Sequence, residues 1–222
     1  MCKIIILVIS LLKGEICQMA QQTYTLTQES QGTFKDRGSR FLAFAFPVSE
    51  QNQFEEKLAS LKKEYYDARH HCYAFRFGIQ GETSFANDDG EPSHTAGDPI
   101  LGVLQSRDIT NAAIIVVRYF GGTKLGVRGL IEAYRNAAAD AIENNQIKAI
   151  IPKTIFRLDF TYPQTSEINR ILHPFNTEQI QANYTDVCQI DFAINDEEFP
   201  PVQKALQMAG FSVKVLEESN ID

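Results

Sequence analysis

The chain has no tryptophan and only four cysteines, Cys2, Cys17, Cys72 and Cys188. They are scattered, with no CxxC pair and no close-spaced framework. That argues against a zinc site built from cysteines and fits reduced thiols in a cytosol. Low-complexity tracts and repeats at a solenoid period are also missing, so a repeat array is excluded. No apolar run is long enough for a transmembrane helix, and no membrane partner is expected. Basic residues are scarce toward the C-terminus. Residues 151–222 hold five Lys or Arg against eleven Asp or Glu, so −6 of the net −7 lies there. A phosphate-binding surface needs a basic patch, so any nucleic-acid contact must come from the first part. The acidic end suits a basic protein partner, or serves solubility alone.

What is present fits one or two soluble domains in 222 residues. The opening, "MCKIIILVISLLKGEICQ", has a short apolar run with no small-residue cleavage site after it. Met19 is followed by "AQQTYTLTQES", a normal start to a first strand. Lys13-Gly14-Glu15 can be encoded by a purine run resembling a ribosome-binding site. The apolar run resembles a signal-peptide core, so residues 1–18 are expected to be a leader segment or, as the features at Met19 favour, to lie outside the native protein.

Periodicity is cleanest in the last third. Phe156, Leu158, Phe160 and Tyr162 alternate with polar residues, as a half-buried strand requires. Ile168, Ile171, Leu172 and Phe175 follow helical spacing. Two more alternating runs come next, Ile180–Tyr184 and Cys188–Ile194. A helix with Val202, Ala205, Leu206 and Ala209 then ends at Gly210 before a last strand, Phe211–Val215. The order β-α-β-β-α-β is the ferredoxin-like arrangement, expected over residues 152–222. Its open face, with Arg157, Asp159, Gln189, Asp191 and Lys214, carries no aromatic stacking pair.

Residues 19–148 are expected to form a second unit. Short strands are read at 22–28, 31–36 and 40–46. A helix capped by Ser49 follows, with the stripe Phe54, Leu58, Leu61 and Tyr65. "CYAFRFGI" reads as a strand, 80–97 as a polar loop, and Asp98-Pro99 as the opening of a short helix. "AAIIVV" reads as a central strand buried on both faces or nearly so. Leu130, Tyr134, Ala138 and Ala141 mark a long helix. The expected class is α+β, with this part a two-layer α/β sandwich, and 144–153 a linker.

Three polar stretches could carry function. "VVRYFGGTKLGVRGL" runs from strand through a glycine loop into a helix. Unpaired N–H groups and the dipole at a helix N-terminus favour an anion. The anion-binding candidates are Arg118, Gly121, Gly122, Lys124, Gly126 and Arg128. Cations are disfavoured at that helix end, so they point to an anionic partner, or the loop is a tight strand-to-helix turn whose basic groups pair with acids of the stretch 87–99. It is not a Walker A loop, because Val127 follows Gly126. "NDDGEPSHTAGDP" brings Asp88, Asp89, Glu91 and His94, either a pocket or a turn with caps. Its spacing is not that of a calcium loop. "ARHHCYAF" adds His70 and His71, which point to opposite faces of a strand. Cys72 could be a nucleophile beside a base, or core. No spacing defines a catalytic set, and no catalytic residue, metal or cofactor is assigned.

"SFANDDGEPSHTAGDPIL" followed by "IIVVRYFGGTKLGVRGLIEAY" resembles the bacterial YigZ / IMPACT family, as do "GSRFLA" and Ala68-x-His70. The likeness extends from residue 19 to 222. It implies an N-terminal domain of the ribosomal-protein type, like domain IV of elongation factor G, followed by a ferredoxin-like domain. It also implies a link to translation, which eukaryotic relatives regulate through the amino-acid-starvation kinase pathway. His94 and Arg128 stand where that family usually has glycine, and Glu132 where a basic residue is frequent.

Three functions stay open to the sequence. One is a translation-associated module touching RNA or the ribosome through Arg118, Lys124, Arg128 and Arg135. Another is an enzyme acting on a phosphorylated small molecule, with His70 as base and a metal on Asp88, Asp89 or Glu91. The third is a regulator that binds a protein through the acidic C-terminal part.

Overall fold

The computed structural model describes residues 22–185 and 188–219. The expectation about residues 1–18 falls outside them.

The chain runs β1 (Tyr24–Leu26), β2 (Ser30–Asp36), β3 (Ser39–Pro47), α1 (Gln51–Glu64), β4 (His70–Phe77), β5 (Thr83–Asn87), α2 (Gly97–Ser106), β6 (Ala112–Tyr119) and α3 (Gly126–Glu143). It continues through β7 (Ile147–Ala149), β8 (Lys153–Phe160), α4 (Thr165–Leu172), β9 (Glu178–Tyr184), β10 (Cys188–Asn195), α5 (Phe199–Met208) and β11 (Val213–Ser219).

Five strands form one antiparallel sheet in the order β2-β3-β6-β4-β5. The apolar run of β6 lies at its centre, as its composition requires. Side chains alternate across the sheet. Ile114 and Val116 join Phe41, Ala43, Cys72 and Ala74 beneath α2 and α3. Ala113, Ile115 and Val117 join Phe44, Phe75 and Phe77 on the other face. That second face is covered by α1, whose Phe54 ring lies 4.9 Å from Tyr73 and 5.0 Å from Phe75.

The sheet is therefore sandwiched in three layers where two were expected. A central strand that is apolar on both faces needs cover on both. Three smaller expectations also change. The polar stretch 80–97 contains the edge strand β5. The expected linker contains the strand β7, which pairs with β1. Helix α1 begins after Glu50 with no side-chain cap, so Ser49 does not cap it.

Two close approaches fix this unit. A Cβ on Gly32 would lie 2.2 Å from the Ala141 backbone nitrogen, so β2 meets α3 only through glycine. A Cβ on Gly121 would lie 1.9 Å from the Gly38 carbonyl carbon, so the loop after β6 is pressed onto the β2–β3 turn.

The second sheet is antiparallel, in the order β11-β8-β10-β9. The element order is the expected β-α-β-β-α-β. Phe156, Leu158, Phe160, Ile190, Phe192 and Ile194 pack on Ile168, Leu172, Val202 and Leu206 of α4 and α5. Four polar residues of the open face pair with one another. Arg157 donates to Asp191 at 2.6 and 2.8 Å, and Gln189 to Asp159 at 2.8 Å.

Candidate functional site

Antiparallel register brings the three polar stretches to one end of the five-stranded sheet. His70 at the start of β4 pairs with Arg118 near the end of β6. Asn87, the last residue of β5, pairs with Tyr73, so the acidic loop begins at the same end.

Glu91 is the hub, with its side chain 4% exposed. Its Oε1 accepts from the Arg118 guanidinium and, at 2.8 Å, from the Tyr134 hydroxyl. The His70 Nε2 lies 4.0 Å from the same oxygen. The other ring nitrogen, Nδ1, sits 2.8 Å from the Asp89 carbonyl oxygen. A carbonyl only accepts, so Nδ1 carries the proton and Nε2 is turned toward Glu91. The Cys72 Sγ lies 3.0 Å from the Asp88 carbonyl oxygen and 3.3 Å from the Tyr134 hydroxyl, and its single S–H donates to one of them at a time. Burial pushes the Cys72 thiol well above its usual range. It stays protonated near neutral pH, where the thiolate is the nucleophilic form. Burial likewise raises Tyr134, with the nearby Cys72 and Glu91 adding to the effect, so its hydroxyl remains a donor.

Asp88 organises the loop. Its Oδ1 accepts from the backbone N–H groups of Ala96 and Gly97 at 2.9 and 2.8 Å, and its Oδ2 from that of His94 at 2.8 Å. It thus caps the start of α2. Burial alone would raise its pKa, but the hydrogen bonds from Gly97, His94 and Ala96 outweigh burial and hold it below the usual carboxylate value. Asp89 accepts from the His71 backbone N–H at 2.7 Å and faces Lys62 at 3.8 Å. The three acids of the loop therefore serve a helix cap, a strand start and a buried ion pair. They do not converge on a common point, and the described residues contain no group of three or more His, Cys, Asp or Glu placed to hold a metal ion.

His71 points to the opposite face, as strand alternation requires, and burial lowers its pKa. His94 stays apart from the Glu91 network. It occupies the left-handed region at φ 65°, a conformation that glycine adopts freely. Its exposed ring pairs with Asp98 at 2.7 Å. There it flanks a groove of about 510 Å³ between α2 and α3, lined also by Gly102, Ser106, Ile131 and Arg135. Arg135 therefore faces this groove with His94.

The basic residues of the glycine loop separate. Arg118 is buried and paired. Lys124 and Arg128 are exposed, and neither has an ion pair or side-chain hydrogen bond among the described residues. They flank the start of α3, which has no side-chain cap and no acid in its first turn. Gly122 and Gly126 hold φ +87° and +76° with nothing near their Cβ positions, so the loop surface is open.

Sequence reasoning placed Tyr134 in a core stripe and missed its place in the network. The available signal was a hydroxyl on an otherwise apolar helix face, since a buried phenol usually finds a partner.

Fold and site together define an α+β protein with two large sheets and a two-stranded ribbon, whose five-stranded sheet carries, at one end, a buried carboxylate–guanidinium network under an open glycine loop. The Impact N-terminal domain family matches residues 37–142. The IMPACT family member YvyE of Bacillus subtilis is 29% identical over 81% of this chain and 83% of its own length. The IMPACT family member YigZ of Escherichia coli is 30% identical over 83% of this chain and 86% of its own. The chain belongs to the IMPACT family. A solved crystal structure of a hypothetical protein aligns with TM-score 0.66 at 25% identity, over 89% of this chain and 98% of that one. The protein IMPACT of Rattus norvegicus is 32% identical over 41% of this chain and 30% of its own length.

Proposed function

We propose that this chain is a translation-associated binding and regulatory protein, and that its glycine loop takes a phosphate group of RNA. One observation carries the phosphate part. Lys124 and Arg128 are exposed and unpaired among the described residues, at a helix N-terminus with no acid in its first turn. Two cations beside the positive end of a helix repel its dipole, and an anion relieves both. Arg118 has a different role, since it neutralises Glu91 and holds the floor of the site. Family membership supports the translational part.

Co-sedimentation of the full chain with ribosomes across a salt series tests this reading. Binding should weaken steadily with salt, and Lys124→Ala should weaken it further while flattening the dependence. An absence of binding at low salt would overturn the ribosomal reading.

A further inference from the structure

Phe120 follows Arg118 and Tyr119 at the end of β6, and it is 50% exposed. Single exposed apolar side chains are ordinary on protein surfaces, so exposure alone carries nothing. Three further observations set this ring apart. The Arg118 guanidinium lies 5.7 Å from its centroid and 5.4 Å from that of Phe41. The Arg118 side chain is only 7% exposed, and its Nε is buried with no hydrogen-bond partner. An unused donor on a buried, charged side chain is costly unless something supplies an acceptor.

The ring also stands on a fixed base. The next residue, Gly121, presses on Gly38, and its N–H donates to the Ser39 hydroxyl at 3.1 Å. Finally, no acidic residue occurs between Arg118 and Ile131, while Lys124 and Arg128 are both exposed.

We infer that this corner binds a single-stranded RNA segment, with one base stacked on Phe120 and neighbouring phosphates held at Lys124 and Arg128. The inference rests on the phosphate reading above and names its ligand. An exposed ring beside free cations is the combination that holds single strands, because every base has a stacking face while the cations follow the backbone. A duplex keeps those faces inside its stack, so it offers the ring nothing. The Arg118 guanidinium, buried and paired with Glu91, packs by the ring and is not itself a ligand contact.

The test is fluorescence anisotropy of the full chain with labelled twelve-nucleotide oligo(U) and oligo(A) RNA, a duplex of equal length, and UMP or AMP as competitors. Both single strands should bind in preference to the duplex. Phe120→Ala should weaken single-strand binding by about five- to a hundred-fold at an unchanged melting temperature, and Phe120→Trp should keep it. If Phe120→Ala binds like wild type, the stacking inference is overturned. Competition by mononucleotides as strong as by the oligomer would overturn the single-strand ligand in favour of a free nucleotide. Failure to bind either oligomer, while sedimentation with ribosomes persists, would overturn this inference and leave the phosphate reading standing. Loss of both would remove the two together.

Discussion

Replacing Arg118 with alanine tests whether the buried network is structural. The change removes a cation whose carboxylate partner, Glu91, is 4% exposed. The Tyr134 hydroxyl would remain on that carboxylate. A neutral hydroxyl does not balance a buried anion, and breaking such a pair from one side costs about 3–5 kcal/mol. Total domain stability is about 5–15 kcal/mol, so the loss is a large share. At about 2–4 °C per kcal/mol for a chain of this size, the melting temperature should fall by about 6–20 °C. Separate cores lie under the two sheets and can melt separately, so hydrogen exchange at the β6 amides identifies the affected one. The companion variants are Glu91→Ala and the double variant. Removing both charges leaves no orphan, so the double variant should lose less than the sum of the singles by about 1 kcal/mol or more. A melting temperature within about 2 °C of wild type for Arg118→Ala, or strict additivity in the cycle, would refute the structural role.

Asp88→Asn should cost about 1–2 kcal/mol at neutral pH, because it weakens the cap of α2. Asp88 is held below its ordinary pKa of 3.8, so its stabilisation is complete above that value and lost as pH falls through the lower folded value. Urea unfolding from pH 7 to pH 2 should therefore show the gap between wild type and Asp88→Asn closing at the acid end; a constant gap would contradict the assignment. Gly121→Ala places a Cβ 1.9 Å from the Gly38 carbonyl carbon and 2.1 Å from the Ser39 nitrogen. It should lower the melting temperature and displace Phe120, reducing ribosome sedimentation even well below the melting point. A Gly121→Ala protein that melts and sediments like wild type would contradict the clamp.

How far the fold can be read from sequence depends on what each segment packs against. The second sheet was legible because each strand has one dry face, so Phe156-Leu158-Phe160 and Cys188-Ile190-Phe192 alternate openly. Strand β5 was not. Thr83, Ser84 and Phe85 are exposed at a sheet edge, and a strand that buries little shows no period. The third layer was implied by β6, whose two apolar faces both need cover, but reading each helix separately hid which face α1 takes. The site was half legible. The glycine motif and the acidic loop stood out as polar stretches with turn residues. Their meeting at Glu91 did not, because Arg118 lies 27 and Tyr134 43 positions away. Only strand register, with His70 opposite Arg118, brings them together.

That register divides a single basic motif into two parts, and the division has a measurable consequence. Arg118 and Glu91 form a neutral pair, so a ligand at the loop meets the charge of Lys124 and Arg128 alone. Two cations neutralise about two phosphates. For a single strand, each contributes about −0.7 to the slope of log K against log salt, giving about −1.4 in all. Lys124→Ala should halve that slope, whereas Phe120→Ala should lower affinity and leave it unchanged, because stacking releases no counterions. A wild-type slope several times steeper would require cations beyond this corner. The acidic C-terminal sheet, with −6 of the net −7 in residues 151–222, is poorly suited to supply them, so Arg37, Arg40 and Arg135 would be the next residues to substitute.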